Sequence, residues 1–108
     1  MSFEVKTIDV FEKQAKRLIK KYKSLKDELL QLVNELKENP DQGKAIGKNC
    51  FKIRISIASK GKGKSVGARL ITNIVINDST VYLLSIYDKS EKENITDKEL
   101  DELLSDIS

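Results

Sequence analysis

The apolar positions of this chain change period as the sequence is read from its N-terminus. Phe3, Val5 and Thr7 alternate with Glu4 and Lys6, which predicts a short strand over 3–8. Phe11, Ala15, Leu18, Ile19 and Tyr22 then recur at helical spacing, giving an amphipathic helix over 10–22 with Asp9 as its N-cap. A second stripe, Leu25, Leu29, Leu32, Val33 and Leu36, repeats that spacing. Ser24 begins this second helix, Asp27 and Glu28 suit its capped, electropositive end, and Asn39-Pro40 stops it. The link between the helices is two or three residues long, so they form an antiparallel αα-hairpin.

After Pro40 the period becomes two. Phe51, Ile53, Ile55 and Ile57 take one face of a strand, and Lys52, Arg54 and Ser56 the other. A Gly/Lys/Ser loop follows over 58–66. The next strand, 67–76, puts Leu70, Thr72, Ile74 and Ile76 on one face and Arg69 opposite. Asn77-Asp78-Ser79 is a turn, and TVYLLSIY at 80–87 is apolar enough for an interior strand. Thr96 caps a last helix with Leu100, Leu103, Leu104 and Ile107 along its apolar side.

The element order β-α-α-β-β-β-α predicts one α+β domain over 1–108. The αα-hairpin covers one face of a mainly antiparallel four-stranded sheet, and a helix ends the chain. The opposite face is expected to stand open, carrying Lys52 and Arg54.

Charge sharpens this picture. The net charge is only +3, yet no Asp or Glu occurs between Asp41 and Asp78, where eight cations lie. Residues 60–69, KGKGKSVGAR, hold four of them. Acids gather instead after Asp88. A cationic stretch without carboxylates seeks anions elsewhere, and a phosphate backbone is the obvious one. With no segment of 18 apolar residues and no leader-like start, the chain is expected to have no membrane partner and to be cytoplasmic. Cys50, the single cysteine, reads as a small buried hydrophobe.

Several chemistries drop out. There is no histidine, so Ser/His and Cys/His hydrolase arrangements are absent, and a cysteine-cluster metal site needs more than one cysteine. ASKGKGKS at 58–65 resembles the end of a phosphate P-loop, but Ala58 stands where glycine is needed and a strand follows in place of a helix. No cofactor and no metal are expected. What remains is cationic chemistry. Lys52 and Arg54 lie two residues apart on one strand face, about 7 Å from each other, with Arg69 on the neighbouring strand. Arginine can stabilise a phosphorane-like transition state, and a lysine crowded by cations can serve as base or acid. The plainer reading of the same residues is a solvated cationic sheet face.

Three stretches resemble the RelE/HigB family of type II toxin–antitoxin toxins, within the RelE/ParE superfamily. They are FKIRIS at 51–56, KGKGKSVGARLIT at 60–72 and LLSIYDKSEKENIT at 83–96, and the element order resembles the family's as well. The resemblance implies a RelE-like fold and a metal-independent endoribonuclease that cuts mRNA in the ribosomal A site by 2′-OH attack on the adjacent phosphate. It implies that Lys52 and Arg54 match the family's paired strand cations. Arg69 matches the arginine on the scissile phosphate, and Lys89 falls where RelE proper has a catalytic arginine. Ile95 stands about where RelE has a catalytic tyrosine and Ala68 where many relatives have an aromatic residue. Glu93, Glu91 or Tyr87 is then left to supply acid–base chemistry. Lys48, Lys60, Lys62, Lys64, Tyr87 and Lys92 are expected RNA contacts, and the implied partners are mRNA, ribosomal RNA and a cognate antitoxin. Two alternatives stay open: a ParE-like inhibitor of gyrase and a non-catalytic RNA-binding domain.

Overall fold

The computed structural model describes residues 2–60 and 67–107. Strand β1 (Glu4–Thr7) leads into α1 (Asp9–Lys21) and α2 (Leu25–Glu38). The chain then forms β2 (Lys44–Gly47), β3 (Cys50–Ile55), β4 (Ala68–Val75) and β5 (Thr80–Asp88), and ends in α3 (Asp97–Leu104). The five strands make one sheet in the order β1-β5-β4-β3-β2. Only β1 runs parallel to its neighbour, pairing Glu4 with Thr80 and Thr7 with Leu83, and the other ladders are antiparallel.

The sheet has five strands where four were expected. The extra one, β2, is hairpin-linked to β3 through Lys48 and Asn49, at φ 58° and 60°. Two left-handed residues fit the right-handed twist of a two-residue hairpin, but Lys48 is an unusual occupant. Asn73 makes the turn tolerable: its Nδ2 donates to the carbonyls of Lys48 (3.1 Å) and Asn49 (3.3 Å).

The core forms as the period-two and helical stripes require. Ile53, Ile55 and Leu70 are buried with Phe11, Ala15 and Leu18 of α1 and Leu25, Leu29, Leu32 and Leu36 of α2. Past the end of β1, the edge of β5 is satisfied by a side chain. Gln14 Oε1 of α1 accepts from the Ile86 N–H (3.0 Å) and from Ser85 Oγ (2.9 Å). The β4–β5 ladder shifts register between Ile71 and Thr72, so Leu84 is an extra residue on the β5 side.

Three further expectations are corrected. Asp9 is not an N-cap: Ile8 holds that position without a side-chain bond and Asp9 is the first helical residue. Ile76 is not in a strand but in a short 3-10 turn, where it is 68% exposed. The second sheet face is not fully open. Ile71 and Asn73 are buried there, and α3 reaches it with Leu100 and Leu103 buried and Asp101 paired to Lys48. Thr96 caps α3 as expected, in a reciprocal capping box with Glu99 (3.1 and 3.0 Å).

Candidate functional site

Three adjacent strands place a row of side chains on the second face of the sheet. Arg54 of β3 pairs with Arg69 of β4, and Arg69 pairs with Tyr87 of β5. Lys52, two residues before Arg54, lies opposite Ile71. Just past the end of β5, the Lys89 N–H donates to the Gly67 carbonyl (3.0 Å), carrying the ladder one residue beyond Asp88. The root of β4 must be glycine: a Cβ on Gly67 would stand 1.9 Å from the Ile55 carbonyl oxygen. That contact draws the two arginine-bearing strands together at the head of the row.

The electrostatics are those of crowded like charges. Burial lowers the Lys52 ammonium from its ordinary pKa, and Lys44, Arg69, Lys89 and Arg54 lower it further. Arg69, only 4% exposed, is lowered by burial and then by Arg54, with the Tyr87 phenol opposing. Its Nη1 donates to the Ala68 carbonyl at 3.1 Å. Tyr87 is buried, and its hydroxyl has no hydrogen-bond partner among the described residues. Burial raises its pKa and Arg69 partly offsets this, so the phenol stays protonated and is a donor in search of an acceptor. Among the described residues no carboxylate is ion-paired with Lys52, Arg54 or Lys89.

The other expected site residues fall in different places. Lys89 Nζ donates to the backbone carbonyl of Glu93 at 2.9 Å, while Glu93 itself is exposed. Lys92 lies with its Nζ 5.8 Å from the Tyr87 ring centroid and is ion-paired to Glu99. Lys48 stands on the β2–β3 turn and is paired to Asp101. Glu91 turns away toward α1, bonded to Arg17 (2.7 Å) and Lys21 (3.3 Å). Lys62, Lys64 and the side chain of Lys60 lie outside the described residues.

The sequence counts Lys44 among the cations of the middle stretch without placing it beside Lys52, and it does not single out Asn94. Lys44 pairs with Lys52 across β2–β3, and Asn94 Oδ1 accepts from Lys52 Nζ at 3.4 Å. Lys44 was hidden with its strand. Asn94 lay in the ENIT stretch, but nothing in its spacing tied it to Lys52. Among the described residues, no three His, Cys, Asp or Glu side chains gather to hold a metal, and no helix is long and apolar enough to cross a membrane.

A cationic row on one face of a sheet, with a helical hairpin packed on the other, suits a phosphate backbone. Residues 8–106 match the family model described as the RelE toxin of the RelE/RelB toxin–antitoxin system. The chain belongs to the RelE toxin family, and it is an endoribonuclease toxin of a toxin–antitoxin module. Its fold is similar to that of an arginine-substituted mutant of E. coli RelE in the free state, at 20% identity and TM-score 0.62 over 100% of both chains. It is similar in the same way to the intact E. coli RelBE toxin–antitoxin complex, at 20% identity and TM-score 0.62 over 81% of this chain and 96% of that one. The mutant E. coli toxin bound to a peptide of its antitoxin RelB matches at 19% identity and TM-score 0.61, covering 90% and 98%.

Proposed function

We propose that the toxin cleaves ribosome-bound mRNA with the Lys52, Arg54, Arg69 and Lys89 cluster and needs no metal to do so. Arg54 and Arg69 hold the non-bridging oxygens of the scissile phosphate, where negative charge grows in the transition state. Lys52, with its ammonium form disfavoured, takes the proton of the 2′-OH. The 2′-oxygen forms a bond to phosphorus, and the bond to the 5′-oxygen breaks. Lys89 gives its proton to that leaving oxygen, and the products are a 2′,3′-cyclic phosphate and a 5′-OH. Tyr87 donates its unpartnered hydroxyl to the same phosphate. Lys48, Lys60, Lys62, Lys64 and Lys92 contact the flanking RNA backbone of message and ribosome, and Glu93 lies beside Lys89. The toxin acts in the cytoplasm, and an acidic cognate antitoxin covers the cationic face.

The observation that carries this reading is the Arg54–Arg69–Tyr87 row: two opposed arginines and, on the adjacent strand, a phenol without a hydrogen-bond partner among the described residues. The phenol offers a donor with no acceptor among the described residues, and the opposed arginines are relieved by an anion placed between them. The test is incubation with ribosomes translating a defined message. Cuts at codon spacing support the proposal. Gyrase-linked DNA breaks, or ribosome binding with intact message, overturn it.

A further inference from the structure

The bend between α1 and α2, residues 22–24, touches the chain on both sides of the cationic row. On one side, Tyr22 Oη donates to Asp88 Oδ2 at 2.5 Å. Asp88 is fully buried at the end of β5 and organises the turn that follows. Its Oδ1 accepts from the Ser90 N–H (2.9 Å) and Ser90 Oγ (2.7 Å). Its carbonyl accepts from the N–H groups of Glu91 and Lys92, both at 3.0 Å. Arg17 and Lys21 hold Glu91 in the same turn. Lys89 and Lys92 are therefore displayed on a turn whose shape is fixed from α1.

On the other side, Ser24 and Glu28 hold the short 3-10 turn Ala58–Lys60, the root of the basic loop. The Ser59 N–H donates to Ser24 Oγ (2.9 Å), and the Ser24 N–H donates to Ser59 Oγ (3.2 Å). The Ala58 N–H donates to Glu28 Oε2 (2.8 Å), and Ser24 Oγ donates to Glu28 Oε1 (3.1 Å). These bonds come at the expense of the local rule. A serine at this position ordinarily caps its own helix, which is typically worth about 1 kcal/mol. Ser24 instead takes a helical conformation and makes no cap bond. Local rules tend to be broken where function asks for it.

We infer that the 22–24 bend is a positioning clamp for the RNA-cleaving site. Tyr22, acting through Asp88, sets Lys89, and Ser24 with Glu28, acting through Ala58 and Ser59, sets the root of the basic loop. None of these clamp residues is a catalytic residue. The inference rests on the proposed cleavage chemistry, in which a misplacement of about 1 Å is enough to lower a rate by about 100-fold.

The experiment uses the whole toxin, with single-turnover cleavage of a defined message on translating ribosomes, well below the melting temperature. Tyr22→Phe removes one oxygen atom and leaves Asp88 its bonds to Ser90. It is expected to lower the saturating cleavage rate about tenfold, with little change in the toxin concentration giving half the maximal rate. Glu28→Gln is expected to raise that concentration by about threefold or more and to leave the saturating rate near the parental one. Hydrogen exchange reads the clamp without cleavage: Tyr22→Phe should speed exchange at 90–92, and Glu28→Gln at 58–59. Unchanged exchange in both variants overturns the clamp. Faster exchange with parental cleavage, or losses that merely follow melting temperature, overturns its role in positioning. If the parental toxin leaves mRNA intact while exchange responds as expected, the cleavage chemistry falls and the positioning role falls with it, leaving a structural hold.

Discussion

Arg54 and Arg69 stand directly opposite one another across the β3–β4 ladder, on the same side of the sheet. Like charges in facing positions oppose sheet formation, and cross-strand pairs are worth roughly 0.2–1 kcal/mol. The pair stores a repulsion that an anion relieves. Arg54→Gln is therefore expected to raise the melting temperature while slowing RNA cleavage. Thermal denaturation beside single-turnover kinetics checks both halves. A less stable variant contradicts the first, and a parental rate the second.

Arg69→Ala is expected to slow cleavage by roughly 30- to 1000-fold, the effect of losing about 2–4 kcal/mol of charge stabilisation in the transition state. The substitution also costs stability, because Arg69 is 4% exposed and not an open-face side chain. Arg69→Met keeps the stem volume and loses the charge. Its cleavage should fall as far as in Arg69→Ala, with a smaller drop in melting temperature. A Met variant that cleaves at the parental rate removes Arg69 from the mechanism.

Cleavage should rise with pH. The Lys52 amine has its pKa lowered by burial and by four neighbouring cations, so its neutral, proton-accepting form appears below the ordinary lysine value of 10.5. The logarithm of the rate is expected to climb with a slope of about one and to level off before that value. Lys44→Ala removes one repelling neighbour, raises the Lys52 pKa and moves the plateau to higher pH. Folding carries the same sign: the folded state binds the Lys52 proton less readily than the unfolded one, so this contribution turns more favourable as pH rises. A flat pH–rate profile, or one that Lys44→Ala does not move, counts against Lys52 as the base.

Replacing Lys60, Lys62 and Lys64 together by alanine should weaken ribosome binding and flatten its dependence on salt. Three phosphate contacts to single-stranded RNA account for about two units of the slope of log affinity against log salt. Titration at several salt concentrations gives the slope directly. An unchanged slope would show that these lysines do not touch phosphate.

The C-terminal helix is expected to be the least stable element and the first to yield to an antitoxin helix. It has eight residues, docks through buried Leu100 and Leu103, and is tied down by pairs from Lys48 to Asp101 and from Lys92 to Glu99. Thr96→Ala opens the capping box and should cost about 1 kcal/mol. Hydrogen exchange decides the matter. Protection at 97–107 equal to that at 80–87, with and without antitoxin, rules displacement out.

Strong periodicity was easy to read. The stripes Phe11 to Tyr22 and Leu25 to Leu36, the alternation Phe51 to Ile57, and the Thr96 cap each report a local preference that the tertiary structure keeps. Strand β2 was illegible because KAIG offers only two apolar residues and its turn, Lys48-Asn49, lacks the usual glycine. The cover on the second face was hidden for a related reason. Ile71 was legible as apolar, but only the docking of α3 makes its face an interior one. The cations of the row could be named from charge and alternation, whereas the lone phenol of Tyr87 and the hold of Tyr22 on Asp88 depend on burial, which no spacing reveals.

The pairing of β1 with β5 joins residues 4–7 to residues 80–83. The sheet therefore closes only between distant parts of the chain, and contacts of this kind form late because the intervening loop must first be ordered. A nascent chain that stops before Thr80 has no partner for β1, leaves one edge of β4 bare and lacks Tyr87 and Lys89 altogether. Neither the sheet nor the proposed site can be completed until residues 80–89 have joined it.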